Sequence, residues 1–372
     1  MTAPRRAIFL INSLAGGGAE RVMCTLLRYS EPMRSEFQIT LALLDQEPAA
    51  YAPPDWVELR QLDGRRSLPR SIVAVGKLYA ELKPDVTLSF LSRANIANIW
   101  NAKRGCVISE RSNTSAHLPG LRGAPARALV RLAYPRADKV IAVSQGVADD
   151  LVQNFGLAPG KLETIANPVD AAAIAQRAAE APTIDTENEY LLAVGRLVRS
   201  KNFELLIRAY AASGLAQRLV ILGEGPERDN LERLIAELSL SDRVSMPGFA
   251  ANPYPIMARA ALFVLSSNDE GFPNALVEAM TLGVPVVATN CASGPSEILA
   301  DSAREIVSGL ALAQYGALTP TDDVASMAEA LRLMSDPERR RDYGARAAAR
   351  ARTYSPEAAA ERYWRVLREA MA

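Results

Sequence analysis

Two carboxylates, Glu270 and Glu278, lie in the run Ser266-Ser267-Asn268-Asp269-Glu270-Gly271-Phe272-Pro273-Asn274-Ala275-Leu276-Val277-Glu278-Ala279. Pro273 fits the first position of a helix. That places Glu270 in the preceding loop and Glu278 at about the sixth helical residue, about 7–8 Å along the axis at ~1.5 Å per residue. The two acids are therefore no close catalytic pair. Their separation suits an elongated ligand: phosphates on the first helical amides, at Asn274, Ala275 and Leu276, a diol such as ribose on Glu278, and a sugar near Glu270. The plainer alternative is one acid complementing the helix dipole and a second in solvent. It fits Glu278 less well, because apolar Ala279-Met280 and the run Gly283-Val284-Pro285-Val286-Val287 follow it.

Cations stand at a comparable place. Gly195-Arg196-Leu197 follows an apolar run, and Lys201 comes just before a helical pattern. A guanidinium and an ammonium at the C-terminal edge of a parallel sheet can neutralise a diphosphate. The turn Gly223-Glu224-Gly225-Pro226-Glu227 reads as structural when taken alone, and Ser293-Gly294-Pro295-Ser296-Glu297-Ile298 reads as a sugar-pocket wall or only as a helix cap. Near the N-terminus, Gly16-Gly17-Gly18-Ala19-Glu20-Arg21 is either an anion-binding strand-to-helix turn or a plain tight turn. It is not a dinucleotide fingerprint, since the third glycine would fall at Arg21, and no Walker A sequence occurs.

Counting excludes much else. His117 is the only histidine among 372 residues, which removes H-E-x-x-H zinc enzymes and multi-histidine schemes. Cys24, Cys106 and Cys291 are scattered and odd in number, so neither a disulfide framework nor a cysteine zinc site is supported, and a reducing cytoplasm fits. No run approaches the about 20 apolar residues of a membrane span. Arg5-Arg6 followed by Ala7–Ile11 reads as a first buried strand rather than a secretory signal, because it runs into glycines and then Glu20-Arg21 with no cleavage site.

The elements that must position these residues follow from periodicity. In the first half, strands are expected at Ala7–Asn12, Gln38–Leu44, Val86–Phe90, Val107–Ser109 and Lys139–Val143, with helices at Ala19–Tyr29, Ile72–Leu82 and Gln145–Phe155. In the second half, strands are expected at Tyr190–Val194, Leu219–Leu222, Val244–Met246, Leu262–Leu265 and Val286–Ala288. The helices there are Phe203–Ala212, Glu227–Leu238, Asn274–Leu282 and Val324–Met334. Alternation of this kind specifies two doubly wound α/β domains. The expected division is 1–167 and 168–354, with a last helix over 355–372, capped at Ser355-Pro356, completing the first domain. The Ala/Arg-rich stretch Glu338–Arg352 reads as a solvated helix face.

Glu270 to Glu278 as E-x7-E enclosing Gly-Phe-Pro, together with Gly195-Arg196, Lys201, Gly223-Glu224-Gly225-Pro226 and Gly17-Gly18-Ala19-Glu20, resembles the retaining glycosyltransferases of family four. The resemblance covers nearly the whole chain. It implies a GT-B fold, two Rossmann-like doubly wound parallel-sheet domains facing across a cleft. It implies that Arg196 and Lys201 hold the donor diphosphate, with Phe272, Pro273, Asn274 and Ala275 beside it, that Glu278 takes the ribose and Glu270 the transferred sugar, and that Gly17-Gly18 closes over the phosphates. His117, after Ser109-Glu110-Arg111, corresponds to the family's frequent histidine. Ser109-Glu110-Arg111 and Ser293–Ile298 resemble a branch that transfers hexoses or N-acetylhexosamines from UDP donors to polyprenyl-diphosphate-linked glycans. No cofactor and no metal are expected, and the absence of any D-x-D agrees with neutralisation by cations and amides.

The net charge of zero hides an asymmetry. Residues 1–185 hold 22 basic against 18 acidic side chains, and Arg60 to Lys139 holds 15 against 5. Within it, Leu121–Arg136 alternates Arg122, Arg127, Arg131 and Arg136 with Leu129, Val130 and Leu132. That pattern is either an amphipathic helix for a lipid diphosphate and an anionic membrane surface, or an ordinary surface helix. The expectation is a cytoplasmic, peripheral membrane transferase. Nucleic acid is not an expected partner, since few aromatics are present to stack bases. Two rivals remain: a sugar-nucleotide enzyme without a glycan acceptor, such as an epimerase, and a non-catalytic nucleotide-sugar-binding protein.

Overall fold

The computed structural model describes residues 4–372. The chain forms two compact units, Met1–Pro168 with Ser355–Ala372, and Val169–Tyr354.

In the first unit, β1 (Arg5–Ile11), β2 (Phe37–Leu43), β3 (Glu58–Gln61), β4 (Val86–Phe90), β5 (Cys106–Glu110), β6 (Lys139–Ala142) and β7 (Leu162–Thr164) form one parallel sheet. Its order is β3-β2-β1-β4-β5-β6-β7. The second sheet contains β8 (Tyr190–Val194), β9 (Arg218–Leu222), β10 (Val244–Gly248), β11 (Leu262–Leu265), β12 (Val286–Thr289), β13 (Ala311–Leu312) and β14 (Ala317–Thr319). Its order is β10-β9-β8-β11-β12-β14-β13, and only the pairing of β13 with β14 is antiparallel. Central strands such as β4 and β11 are buried along their whole length. That is why they read as unbroken apolar runs: helices cover both faces of a parallel sheet.

Among the mutually parallel strands of each sheet the connections change direction once, between β1 and β4 and between β8 and β11. Ligands of doubly wound sheets bind beyond the carboxyl ends of the strands at such a switch point. Glu270 follows β11, and Arg196 and Lys201 follow β8.

The last helix, Pro356–Met371, belongs to the first unit. Ser355 Oγ accepts from the Ala358 amide at 3.1 Å and Pro356 opens the helix. Trp364 packs between Phe37 and Phe9, with ring centroids 4.7 and 5.7 Å away, and its Nε1 donates to Ser30 Oγ at 2.8 Å.

Several elements depart from the expected pattern. A helix at Ser92–Asn101 has no apolar stripe, because its inner face carries Asn95 and Asn98, both fully buried. The short strands β3 and β7 lie at sheet edges and contain no apolar run. Pro273 is the N-cap rather than the first helical residue, so the helix runs Asn274–Thr281 and Glu278 is its fifth residue. The Ala/Arg-rich stretch forms the helix Pro337–Ala351, which is not solvated all round: Tyr343, Gly344, Ala347 and Ala351 are buried. No helix among the described residues is long and apolar enough to cross a membrane.

Candidate active site

The switch point of the second sheet brings Lys201 and Glu270 together. Lys201 Nζ lies 2.5 Å from Glu270 Oε1, with the carboxylate side chain 9% exposed and the ammonium side chain 27%. Glu270 Oε1 also accepts from Ser267 Oγ at 2.6 Å, and the Glu270 carbonyl accepts from Ser293 Oγ at 2.6 Å. Two adjacent loops are thereby sewn together. Ser266 Oγ donates to the Lys201 carbonyl at 2.8 Å, the Asn268 amide donates to the Ser200 carbonyl at 2.8 Å, and Asn202 Nδ2 donates to Asn268 Oδ1 at 3.0 Å. Such charge-assisted and local bonds fix both the cation and the anion before any ligand arrives.

Beyond Glu270 the chain turns through Gly271-Phe272-Pro273 into its helix. Gly294, at φ 96°, allows this turn: a Cβ there would stand 2.8 Å from Pro273 Cδ and 3.1 Å from the Gly271 carbonyl oxygen. Phe272 is buried, and its ring meets Tyr354 edge-on at 5.2 Å. The amides of Asn274 and Ala275 open the helix, whereas the Leu276 amide donates to the Pro273 carbonyl at 3.1 Å. Glu278 is 5% exposed, which excludes the reading of it as a solvent-facing acid.

Arg196 is exposed on the turn after β8 and has no side-chain partner among the described residues. Its backbone packs on the glycine turn of the next strand. Gly223, at φ 151°, lies so close to the Gly195 carbonyl that a side chain would collide with it, and the Leu197 amide donates to the Glu224 carbonyl at 2.9 Å. The Gly223–Pro226 turn thus supports the backbone on which Arg196 stands.

The remaining candidates lie in the first unit. Gly17 caps the helix Gly18–Arg28 with extended backbone, and Glu20 stands in its first turn. His117 is exposed at the end of a four-residue helix, Thr114–His117, capped by Asn113 Oδ1 on the Ala116 amide at 3.0 Å. Upstream of it Glu110 is 1% exposed and accepts from the Arg111 amide at 2.9 Å, Ser112 Oγ at 3.1 Å and Tyr134 OH at 2.6 Å. From Tyr134 a buried chain continues through Asn95, Ser89 and Asn98 to Tyr79. The basic segment forms the helix Ala124–Ala133. Two of its guanidinium groups are held by the protein's own carbonyls, Arg127 by Leu118 and Arg131 by Asn154, while Arg122 is exposed.

Comparison with known proteins bears on the chemistry. Residues 175–350 match the glycosyl transferases group 1 family and residues 16–173 match glycosyltransferase family 4. The chain is 34% identical over 360 residues to the N-acetylgalactosamine-N,N'-diacetylbacillosaminyl-diphospho-undecaprenol 4-alpha-N-acetylgalactosaminyltransferase of Campylobacter jejuni, covering 92% of this chain and 94% of that one. The chain belongs to the group 1, family 4 glycosyltransferases. Its architecture is that of the GT-B fold. The crystal structure of Anabaena HepE in complex with UDP aligns with a TM-score of 0.75 at 21% identity, covering 98% of this chain and all of that one. Sucrose-phosphate synthase from Thermosynechococcus elongatus aligns with a TM-score of 0.78 at 18% identity, covering 98% and 99%.

In this glycosyltransferase the sequence left unassigned Ser267, which grips Glu270, and Asn202 and Asn268, which fasten the Lys201 turn to the Glu270 loop; Ser293, read as pocket wall or helix cap, holds the Glu270 carbonyl. Serine and asparagine in loops carry no distinguishing spacing. Their contacts arise only when β8 and β11 become neighbours.

Proposed function

We propose that this glycosyltransferase moves a hexose or N-acetylhexosamine from a UDP-sugar, with retention at the anomeric carbon, to a glycan carried on a lipid diphosphate, in cell-surface polysaccharide or oligosaccharide assembly. The observation that carries the reading is the Lys201–Glu270 contact at the switch point, placed directly before a helix on which Glu278 is buried. An ammonium has three donors. With one engaged by Glu270, two remain for phosphate oxygens, and Arg196 and the amides of Asn274 and Ala275 add positive potential. Glu278 receives the ribose hydroxyls and Glu270 the hydroxyls of the transferred sugar, with Phe272 and Pro273 shaping the turn between them. We propose further that Gly17 and Gly18 contact the donor and that His117 is, with Glu270, a catalytic residue at the transferred sugar.

In the reaction the acceptor oxygen bonds to the anomeric carbon on the face from which the diphosphate departs. The carbon–oxygen bond to the diphosphate breaks, and the acceptor's proton passes to a phosphate oxygen. The developing charge is stabilised by Lys201, Arg196 and the helix amides, so no divalent ion is required. The names of the relatives support the substrate classes: a diphospho-undecaprenol glycan for the Campylobacter transferase and UDP for HepE.

The test is UDP release from a panel of UDP-sugars, with and without a polyprenyl-diphosphate glycan and with EDTA, followed by assignment of the product anomer. Acceptor-dependent release, a retained anomer and indifference to EDTA are expected. An epimerised nucleotide sugar, or binding without turnover, would replace this reading with one of its rivals. We further propose that Arg122, Arg127 and Arg131, with exposed Leu121 and Leu132, face the lipid diphosphate and an anionic cytoplasmic membrane surface. Salt-sensitive binding to anionic vesicles is expected, and no binding at low ionic strength contradicts it.

A further inference from the structure

Arg350 stands 80 residues after Glu270, in the stretch whose pattern reads as a solvated helix face. Its side chain is only 16% exposed. The guanidinium donates to the Glu297 carbonyl at 2.8 Å, to the Ile298 carbonyl at 3.2 Å and to Asp301 Oδ1 at 2.7 Å, and it lies 5.2 Å and 5.5 Å from the ring centroids of Tyr315 and Tyr354. Two arms lead from it to one place. Along the first, Arg350 caps the C-terminal carbonyls of the short helix Pro295–Leu299. The chain just before that helix, at Ser293 and Gly294, binds the Glu270 carbonyl and abuts Gly271 and Pro273. Along the second, Arg350 holds Tyr354, and Tyr354 holds Phe272 edge-on. Both arms end in the turn Glu270–Pro273.

We propose that Arg350 is a positioning residue for the Glu270–Pro273 turn, setting the Glu270 carboxylate through the Pro295–Leu299 helix and the Tyr354–Phe272 contact. A five-residue helix has almost no stability of its own, so its register depends on what holds its ends. A planar fork reaching two successive carbonyls while lying against two aromatic rings is a task that lysine's single ammonium cannot reproduce. The consequence for the reaction rests on Glu270 contacting the transferred sugar; the mechanical link does not.

The experiment compares Arg350→Lys and Arg350→Met in the full chain, with Arg346→Met as the control. Arg346 lies one turn earlier on the same helix and pairs with Asp342 at the surface. Amide hydrogen exchange of the ligand-free protein is expected to speed up in 270–276 and 293–301 in both Arg350 variants, more in Met than in Lys, with helix Pro337–Ala351 as protected as in the control. In the transfer assay with UDP-N-acetylgalactosamine and a polyprenyl-diphosphate glycan, kcat per folded molecule is expected to fall about tenfold for Lys and about a hundredfold for Met. The larger loss is what a displacement of about 1 Å can bring, and the dissociation constant for UDP, carried mainly by Arg196 and Lys201, should change less than about threefold. Exchange changes confined to helix 337–351, or a lowered melting temperature with unchanged kcat per folded molecule, would make Arg350 a structural residue and overturn the inference. Glu270→Gln runs beside them. If it keeps full activity while exchange in 270–276 still responds to Arg350, the reading of Glu270 fails and the mechanical link stands.

Discussion

The two sheets share the order of their first five strands, yet their switch points expose their polar groups to different degrees. Beyond β8 and β11 the second unit sets charged side chains against each other at partly exposed positions: Lys201 on Glu270, with Arg196 in solvent. Beyond β1 and β4 the first unit places a glycine run, Gly16–Gly18, a backbone kink, and an ion pair of its own, Arg93 with Asp45, that is more deeply buried than Lys201–Glu270. Leu91 has φ 76° and ψ 142°, a conformation that costs a branched residue of order 1–3 kcal/mol. Its polar groups are withdrawn inside, in the network from Tyr79 to Glu110. One topology therefore supports two designs. Polar groups at the second edge are held by a few loop contacts and remain within reach of a ligand. At the first edge the Tyr79–Glu110 network and the Arg93–Asp45 pair are satisfied internally and serve the fold.

Mutations can break that contrast. The largest expected effect is at Glu270: Glu270→Gln should lower kcat by about 10²–10³, the scale of losing a preorganised electrostatic contact, with a urea midpoint close to that of the wild type. A large loss of stability at constant activity would erase the distinction between the edges. The mirror experiment is Glu110→Ala, which strips the acceptor from Tyr134 OH and the Arg111 amide. It should cost about 2–3 kcal/mol of unfolding free energy, while molecules that remain folded keep most of their turnover.

A smaller effect tests the kink. Leu91→Ala and Leu91→Gly remove the same packing, but only glycine tolerates this backbone without strain, so the glycine variant should be the more stable of the two by about 1 kcal/mol. Equal midpoints would deny that strain is stored there. The smallest effect concerns the thiols. Burial pushes Cys24 up to about 11 and Cys106 up to about 12, and raises Cys291 further, with the Glu270 and Asp269 carboxylates adding to it. All three thiols stay protonated at pH 8, and the native protein should resist a thiol-disulfide reagent that titrates three thiols after unfolding. Fast labelling of Cys291 alone would mean that the Glu270 loop opens readily.

The sequence carried the strands and helices whose burial is complete, such as β8, β11 and the helix Val324–Met334, because covering both faces of a strand or one stripe of a helix leaves an unmistakable period. It also carried Lys201, Glu270 and Glu278 as candidates, since charges between strand ends and helix starts are conspicuous. It did not carry Ser92–Asn101, where two buried asparagines replace the apolar stripe. The helix holding Arg350 reads as solvated because its core face, apart from Tyr343, is made of alanine and glycine, which periodicity hardly weighs. The grip of Ser267 and Ser293 on Glu270 depends on which strands become neighbours, and that lies in the topology rather than in any local pattern.

The central claim is that the second unit's switch point holds the donor diphosphate through Arg196 and Lys201. Calorimetric titration of UDP into the wild type and the Arg196→Ala/Lys201→Ala double variant tests it most directly. Loss of two charge-assisted contacts predicts a dissociation constant at least about a hundredfold weaker, or about 2.7 kcal/mol, and Arg131→Ala should bind UDP as the wild type does. Equal affinity in the double variant and the wild type would contradict the account.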